Sequence, residues 1–261
     1  DLARGAAAGT AEGVAFLDRF SDIEEFRGSR TGDRMLGGEE NDHLRGMAGD
    51  DYLEGRDGQD TLDGGDGDDT LAGLNTEDLR LGGAADVFLG GAGRDWVSYE
   101  GSAGSLRVDL LFPAINTFAA AGDSYDSIEN LIGSRGADNL RGTFGANHMI
   151  GGRNVDYIFG RRGDDTLEGG IGDDVLFGGV GRDTLMGGEN RDRAQYSEAL
   201  ERVHADLTFT SRNLGEAAFD IYDSIEDLAG SAFNDMLGGD AGDNGLYGRE
   251  GNDSLYGRNG D

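Results

Sequence analysis

The chain has 261 residues and carries Asp+Glu 52 against Lys+Arg 22, a formal net charge of −30 at pH 7. So acidic a chain has no electrostatic reason to bind nucleic acid or an anionic membrane, and it attracts cations instead. No apolar run approaches the ~18 residues of a membrane span, and with no cysteine there is no disulfide framework.

With 49 glycines and one proline, composition alone would describe a flexible Gly/Asp linker. The period rules that out. Residues 1–27 read as the end of a preceding module, closing on "FSDIEEFRGS" at 20–29. Glycines then recur at 28, 37, 46, 55, 64, 73 and 82, and this first series covers 28–98. Near its end, "GLNTEDLRL" (73–81) keeps Asp78 in register but puts Arg80 on the apolar position. "GGAADVFL" (82–89) reads as an extra, shortened unit in which Asp86 comes early, so a bulge or broken turn is expected over 73–89, with no ion site.

A linking or capping segment follows at 99–132. Its "SLRVDLLF" (105–112) alternates apolar and polar, which predicts a half-buried strand with Leu106, Val108 and Leu110 on one side. The second series runs through glycines 133, 142, 151, 160, 169, 178 and 187 and covers 133–195. A second linking segment, 196–229, repeats the first, with Val203, Ala205 and Leu207 of "RVHADLTF" as the equivalents. Both segments are expected to cover the end of one series, join it to the next and hide open strand edges. The third series, glycines 230, 239, 248 and 257, occupies 230–261. "YDSIENLIGS" (125–134) and "YDSIEDLAGS" (222–231) match the segment at 20–29, so modules of about one hundred residues are repeated, a plausible domain size. The chain begins and stops inside repeats and reads as a piece of a longer repetitive protein. Asp18, Asp123 and Asp220 are equivalent, as are Glu24, Glu129 and Glu226. A local turn hydrogen bond is the preferred reading of these acids, with an additional ion site or a cap as the alternative.

One nonapeptide, "GGDGDDTLA" (64–72), shows the physics. Glycines at positions one, two and four allow a tight turn, and the following Asp-Thr-Leu is suited to a very short strand. Turn, strand, turn, strand gives a coil of eighteen residues per circuit, its parallel strands stacked about 4.7–4.9 Å apart. Position eight points inward and forms the core: Met35, Leu44, Leu53, Leu62 and Leu71, then Leu140, Met149, Ile158, Leu167, Leu176 and Leu185. Such a core is thin, because one buried leucine contributes about 1.5–3 kcal/mol while each ordered residue costs about 1–2 kcal/mol of backbone entropy. Stacking also aligns the position-six aspartates in rows that repel one another unless a cation lies between them. Carboxylates and glycine-turn carbonyls are hard oxygen donors in an open turn, which suits calcium better than magnesium. Zinc would want histidine or cysteine, and His43, His148 and His204 are scattered and read as solvated or strand-surface residues.

The repeat matches G-G-x-G-x-D-x-U-x, and with these residues in view the chain resembles the RTX family of hemolysin-type calcium-binding repeat proteins. The resemblance implies an all-β fold of parallel β-roll modules, a β-solenoid, with each calcium ion held between turns two repeats apart. The implied ligands in the first roll are Asp33, Asp42, Asp51, Asp60, Asp69 and Asp95. In the second they are Asp138, Asp156, Asp165, Asp174, Asp183 and Asp192, and in the third Asp235 and Asp253. Carbonyls of turn residues such as Gly58, Gly67, Gly163, Gly172 and Gly181 would complete the shells, for multiple calcium ions, roughly ten in all. Asn147 and Asn244 replace the acid, which weakens or abolishes sites there. Asp50, Asp68, Asp164 and Asp173 read as solvated turn residues.

No serine or cysteine nucleophile sits near a recognisable histidine partner motif, and no phosphate-cradling loop occurs, so the stretch reads as non-catalytic. The resemblance further implies a secreted, extracellular or cell-surface bacterial protein exported by type I secretion, folding on calcium outside the cell. A structural stalk or a filament built with other copies of itself is the favoured role. The alternative is a carbohydrate-binding accessory module of an extracellular enzyme, taking a surface polysaccharide on Tyr247 and Tyr256, which are nine apart and expected to stack on one side.

Overall fold

The computed structural model describes residues 25–73 and 84–260, and in the first 24 residues only the backbone of strands Ala7–Ala11 and Val14–Asp18, which pair antiparallel. Asp78, Arg80 and Glu24 lie outside the described residues, as does the side chain of Asp18. The chain divides into two units, Asp1–Ser134 and Arg135–Asp261. Both are parallel β-rolls, and the only helices among the described residues are three-residue 3-10 turns such as Pro113–Ile115 and Thr210–Arg212.

In the first unit, strands Arg34–Leu36, Tyr52–Glu54, Thr70–Ala72, Trp96–Ser98 and Asn130–Ile132 stack in parallel as one sheet. Phe26–Arg27, His43–Ala48, Thr61–Asp66, Val87–Ala92 and Ser124–Asp126 form the facing one. Partners such as Met35↔Leu53 and Leu44↔Leu62 are eighteen residues apart. Two nonapeptides therefore complete one circuit, and alternate nonapeptides feed alternate sheets. The alternation of short strands buries position eight between the sheets: Leu44, Leu53, Leu62, Leu71 and Phe88 in the first unit, and Leu140, Met149, Ile158, Leu167, Leu176 and Leu185 in the second, with Met35 at the margin.

The register survives the irregular stretch. Leu62 pairs with Phe88 and Leu71 with Val97, a spacing of 26 where the regular one is 18. Eight residues are therefore inserted within a single circuit, and "GGAADVFL" is not the extra unit its glycines suggest. Val87–Ala92 resumes the stack as the direct continuation of Thr61–Asp66, and Asp86 stands in register immediately before it.

The segments expected to link the rolls also contribute to them. Ser124–Asp126 and Asn130–Ile132 are the last strands of both sheets of the first unit. In the second unit one sheet runs without a break through Asn139–Arg141, Tyr157–Arg162, Val175–Val180, Arg193–Gln195, Asp227–Ala229 and Gly245–Tyr247. The facing sheet runs through His148–Arg153, Thr166–Ile171 and Thr184–Glu189 to Ile221–Asp223. A new sheet of His204–Asp206, Met236–Gly238 and Ser254–Tyr256 follows. The strand expected over 105–112 is confined to Arg107–Asp109. Its end has a local cause: Asp109 Oδ1 accepts the amides of Leu111 and Phe112, both at 3.0 Å, an Asx-type turn. Asp206 does the same with Thr208 and Phe209. Leu106, Val108, Leu110, Val203 and Ala205 are buried as expected, while Leu207 is half-buried.

Each unit carries the same tyrosine–aspartate cluster. The Tyr99 hydroxyl donates to Asp123 Oδ2 at 2.6 Å and lies 2.6 Å from that of Tyr125, and the Phe88 ring stacks on Tyr125 with centroids 5.7 Å apart. Tyr196, Asp220 and Tyr222 repeat the hydroxyl contacts in the second unit. Tyr247 and Tyr256, by contrast, do not stack. Nine residues are half a circuit, so they lie on different sheets, and the Arg193 guanidinium covers the Tyr247 ring at 4.5 Å.

Burial sets what a core truncation costs. Leu167→Ala, at a fully buried position, is expected to lower the stability of the calcium-loaded protein by about 2–5 kcal/mol. Leu255→Ala, at a position of the same register that is 47% exposed, should cost well under half as much. Urea melts in saturating calcium read both, and equal losses would contradict the burial described.

Candidate metal centre

The position-six side chains follow directly from the strand register. Each stands just before a strand, where the turn brings it over its own position-one glycine. Its Oδ1 accepts the backbone amide of the position-six residue one circuit earlier: Asp33 to Asp51 at 2.7 Å, Asp42 to Asp60 at 2.8 Å and Asp51 to Asp69 at 2.8 Å. In the second unit the amides of Asp138, Asp156, Asp165 and Asp174 donate to Asp156, Asp174, Asp183 and Asp192 at 2.7–2.9 Å. Asp235 and Asp253 form one such pair, at 2.9 Å.

The second oxygen is what makes these rows unusual. Oδ2 of Asp51, Asp60, Asp69, Asp95, Asp156, Asp165, Asp174, Asp183 and Asp192 is buried and has no hydrogen-bond partner. Buried polar atoms are almost always paired, and leaving one unpaired costs about 1–3 kcal/mol, more when it is charged. The glycine scaffold is fitted to that oxygen. A Cβ on Gly169 would lie 2.4 Å from Asp174 Oδ2 and 2.6 Å from the Gly187 carbonyl oxygen. The position-four residues stack in the same way: a Cβ on Gly67, itself at φ +138°, would lie 2.4 Å from the Gly49 carbonyl oxygen. Gly58 sits against the Glu40 carbonyl, Gly172 against that of Asn154, and Gly163 and Gly181 against those of Gly145 and Gly163. Carboxylate and carbonyl oxygens thus line each edge of the roll.

Burial pushes these carboxyls far above the ordinary 3.8, opposed by the amide hydrogen bonds and reinforced in most of them by neighbouring carboxylates. Asp156 rises to about 8 and Asp60, Asp165 and Asp192 to about 7. Asp51, Asp95, Asp174 and Asp183 rise to about 6. Asp69 is raised as well.

Asp86 joins the row instead of standing out of register. It accepts the Asp60 amide on Oδ1 at 2.9 Å, is 2% exposed, and burial pushes it to about 8. Asp95 likewise accepts the Asp69 amide at 2.9 Å. Asp123 and Asp220 do not make local turn bonds. They accept the amides of Asp86 and Asp183 from 37 residues away, at 2.9 and 3.0 Å. Glu129 and Glu226 accept those of Asp95 and Asp192 from 34 residues away, at 3.0 and 2.9 Å. An offset of 97 residues maps Asp86 onto Asp183, a signal in the sequence that a nine-residue ruler misses.

Other position-six residues are internally satisfied. Asn147 Oδ1 accepts the Thr143 amide at 2.7 Å while its Nδ2 donates to Thr143 Oγ1, and Asn244 Nδ2 donates to the Glu226 carbonyl at 2.9 Å. Oδ2 of Asp33, Asp42 and Asp235 accepts the amide of Ser29, Gly38 or Ser231, each at 2.6 Å. Asp50, Asp68, Asp164 and Asp173 are exposed and form an outer ladder, Asp50 and Asp68 accepting the amides of Asp68 and Arg94 at 3.0 and 2.9 Å. His43, His148 and His204 lie at strand starts, half-buried, and His148 Nε2 meets Glu168 Oε1 at 2.5 Å.

No group of three or more histidine, aspartate or glutamate side chains converges among the described residues. An ion at these turns would therefore draw most of its oxygens from the backbone, with one or two carboxylates. The orphaned Oδ2 rows and the glycine cradles fit such a hard cation. A family model of the RTX calcium-binding nonapeptide repeat matches residues 36–71, 71–102, 132–167, 159–194 and 225–261. No curated protein matches the chain.

The cradle can be tested where a methyl group collides. Gly169→Ala should raise the calcium concentration needed for folding several-fold, whereas Gly104→Ala, with nothing within 4 Å of the added Cβ, should leave it unchanged. Calcium titrations followed by circular dichroism distinguish them. The raised carboxyls also fix a pH dependence. With pKa values near 6–8 in the roll and an ordinary value near 4 unfolded, the folded form binds more protons than the unfolded chain between these limits. Stability of the ion-free roll therefore rises as pH falls from about 8 towards 4 and is lost as pH rises through that window. Chelator-treated protein should gain β signal on acidification to about pH 5, and an unchanged spectrum would contradict the buried carboxyls.

Proposed function

The chain belongs to the RTX calcium-binding nonapeptide repeat family, and from that membership we propose that it is a calcium-folded structural module of a secreted bacterial protein. The observation that carries this is the double row of buried carboxylates, each with one oxygen bonded to the previous turn and the other without a partner. A divalent ion between successive turns would supply the missing partner and neutralise the repulsion within a chain of net charge −30.

In this reading Asp51, Asp60, Asp69, Asp95, Asp156, Asp165, Asp174, Asp183 and Asp192 are the principal ligands. Asp86 is added to them, and turn carbonyls such as those of Gly58, Gly67, Gly163, Gly172 and Gly181 complete the shells. Asp138 and Asp253 belong to the same rows. Asp33, Asp42 and Asp235 make weaker sites because an amide already occupies the second oxygen.

Calcium is the specific partner because an open turn of carbonyls and carboxylates accommodates six to eight oxygens, where magnesium demands a tight octahedron. Linkage then makes the fold conditional. A site at tenfold calcium excess over its dissociation constant contributes about 1.4 kcal/mol, and at sub-micromolar calcium almost nothing. A chain that stays unfolded in the cytosol and folds outside suits export in an extended state, followed by service as a stalk or as a filament with other copies of itself. The repeat region is a structural, calcium-binding one. Without a Tyr247–Tyr256 platform, nothing favours a carbohydrate-binding role.

Circular dichroism tests the central claim. In chelator the chain should be largely disordered at neutral pH, with a cooperative gain of β signal in millimolar calcium and none in millimolar magnesium. Asp165→Ala and Asp86→Ala should both raise the calcium midpoint. A fully folded ion-free spectrum at pH 7, or equal folding in magnesium, would overturn the reading.

A further inference from the structure

The two rows of carboxylates in each unit meet different partners past the nonapeptides, and the difference marks a site outside the repeat pattern. One row reaches Asp123 in the first unit and Asp220 in the second. There the oxygen that is orphaned along the row is filled by a tyrosine: Tyr99 donates to Asp123 Oδ2 at 2.6 Å and Tyr196 to Asp220 Oδ2 at 2.8 Å. A hydroxyl proton takes the cation's place.

The other row reaches Glu129 and Glu226, whose Oε2 atoms accept the amides of Asp95 and Asp192. No hydroxyl comes to Asp95 or Asp192. Both are fully buried and their Oδ2 atoms lack any partner. The backbone beside them also imitates a repeat turn. A Cβ on Gly90 would lie 2.0 Å from the Ser127 carbonyl oxygen, and one on Gly187 2.0 Å from that of Ser224. In the regular turns a glycine carbonyl holds that place, as Gly64 does over Gly46 and Gly178 over Gly160, both at 2.6 Å. Ser127 and Ser224 reach it in the left-handed region, at φ 55° and 52°.

We infer that Asp95 with Glu129, and Asp192 with Glu226, each complete one further calcium site with the Ser127 or Ser224 carbonyl, and that Asp123 and Asp220 hold no ion. This rests on the reading of the position-six aspartates as ligands. The Glu129 site is the tighter of the two. Beside Glu226, Asp227 draws the Arg191 guanidinium to 2.7 Å, whereas the equivalent of Asp227 in the first unit is the neutral Asn130.

Equilibrium dialysis of the full chain at saturating calcium, with the bound metal counted by atomic emission, tests this. Glu129→Gln and Glu226→Gln should each bind one ion fewer than the parent, and Asp123→Asn with Asp220→Asn should bind the parent number. Glutamine keeps an oxygen for the amide, so the β signal in calcium should persist. Should the glutamine variants fail to fold, Glu129→Asp, which keeps the charge but shortens its reach, should fold with the full ion count at a raised calcium midpoint. An undiminished count in folded glutamine variants, an equal loss in the asparagine variants, or an unaltered midpoint in Glu129→Asp would overturn the inference. Asp174→Asn, in the interior of a row, separates the two levels: if it loses no ion, the ligand assignment itself fails, whatever the glutamate variants show.

Discussion

A buried carboxylate with only one of its two oxygens satisfied by protein is the constraint on which the rest of this structure depends. In the regular turns Oδ1 of the position-six aspartate ties a turn to the one eighteen residues before it. Oδ2 occupies the space where the position-one residue would carry a Cβ. The first contact fixes the period and the second fixes the glycine. With both edges of the roll given to acids and glycines, one large apolar residue per nine remains for the interior, as at Leu167, Leu176 and Leu185. A core so thin cannot offset the entropy of ordering the turns, so cohesion is shifted from apolar contact to the coordination of charge.

Much of this was legible in the sequence, because the signal is periodic. The inward residues, the parallel stacking and the aspartates of the regular turns all follow from counting in nines. Counting failed where the fold measures contact instead of number. Asp86 looked displaced because eight residues intervene, yet the Asp60 amide finds it. Asp123 and Glu129 looked like local turn formers because their partners, 37 and 34 residues away, are invisible to any short-range rule. Tyr247 and Tyr256 looked stacked because nine was taken for the stacking distance, when it is the distance between opposite sheets. The Tyr99–Tyr125–Asp123 cluster had no sequence signal beyond its reappearance 97 residues later as Tyr196–Tyr222–Asp220.

The linking segments show how a one-dimensional stack can be interrupted without being cut. In the second unit, Asp227–Ala229 carries one sheet onward to Gly245–Tyr247, while the facing sheet stops at Ile221–Asp223 and another begins at His204–Asp206. Nearest-neighbour coupling, the organising principle of solenoids, is therefore kept along one face and broken along the other. The break is where the second unit places the fully buried Tyr196 and its hydrogen-bonded partners. Those side chains hold the turn together through hydroxyl protons, which a rise or fall in calcium does not remove.

The aspartate rungs of the inner rows run one way. In every regular pair it is the earlier turn that gives an amide proton and the later turn that gives a carboxylate oxygen, as from Asp156 to Asp174 and from Asp174 to Asp192. The outer ladder runs the other way, the Asp68 amide donating back to Asp50 and the Arg94 amide to Asp68, and the strands exchange bonds in both senses, as in Gly28 N–H to the Arg45 carbonyl and Tyr52 N–H to the Asp33 carbonyl. An end of the stack therefore carries unpaired donors and unpaired acceptors together, the condition of any open sheet edge. Closing such an end takes a segment with both kinds of group to give, which a further strand supplies and a patch of carboxylates or of amides alone does not.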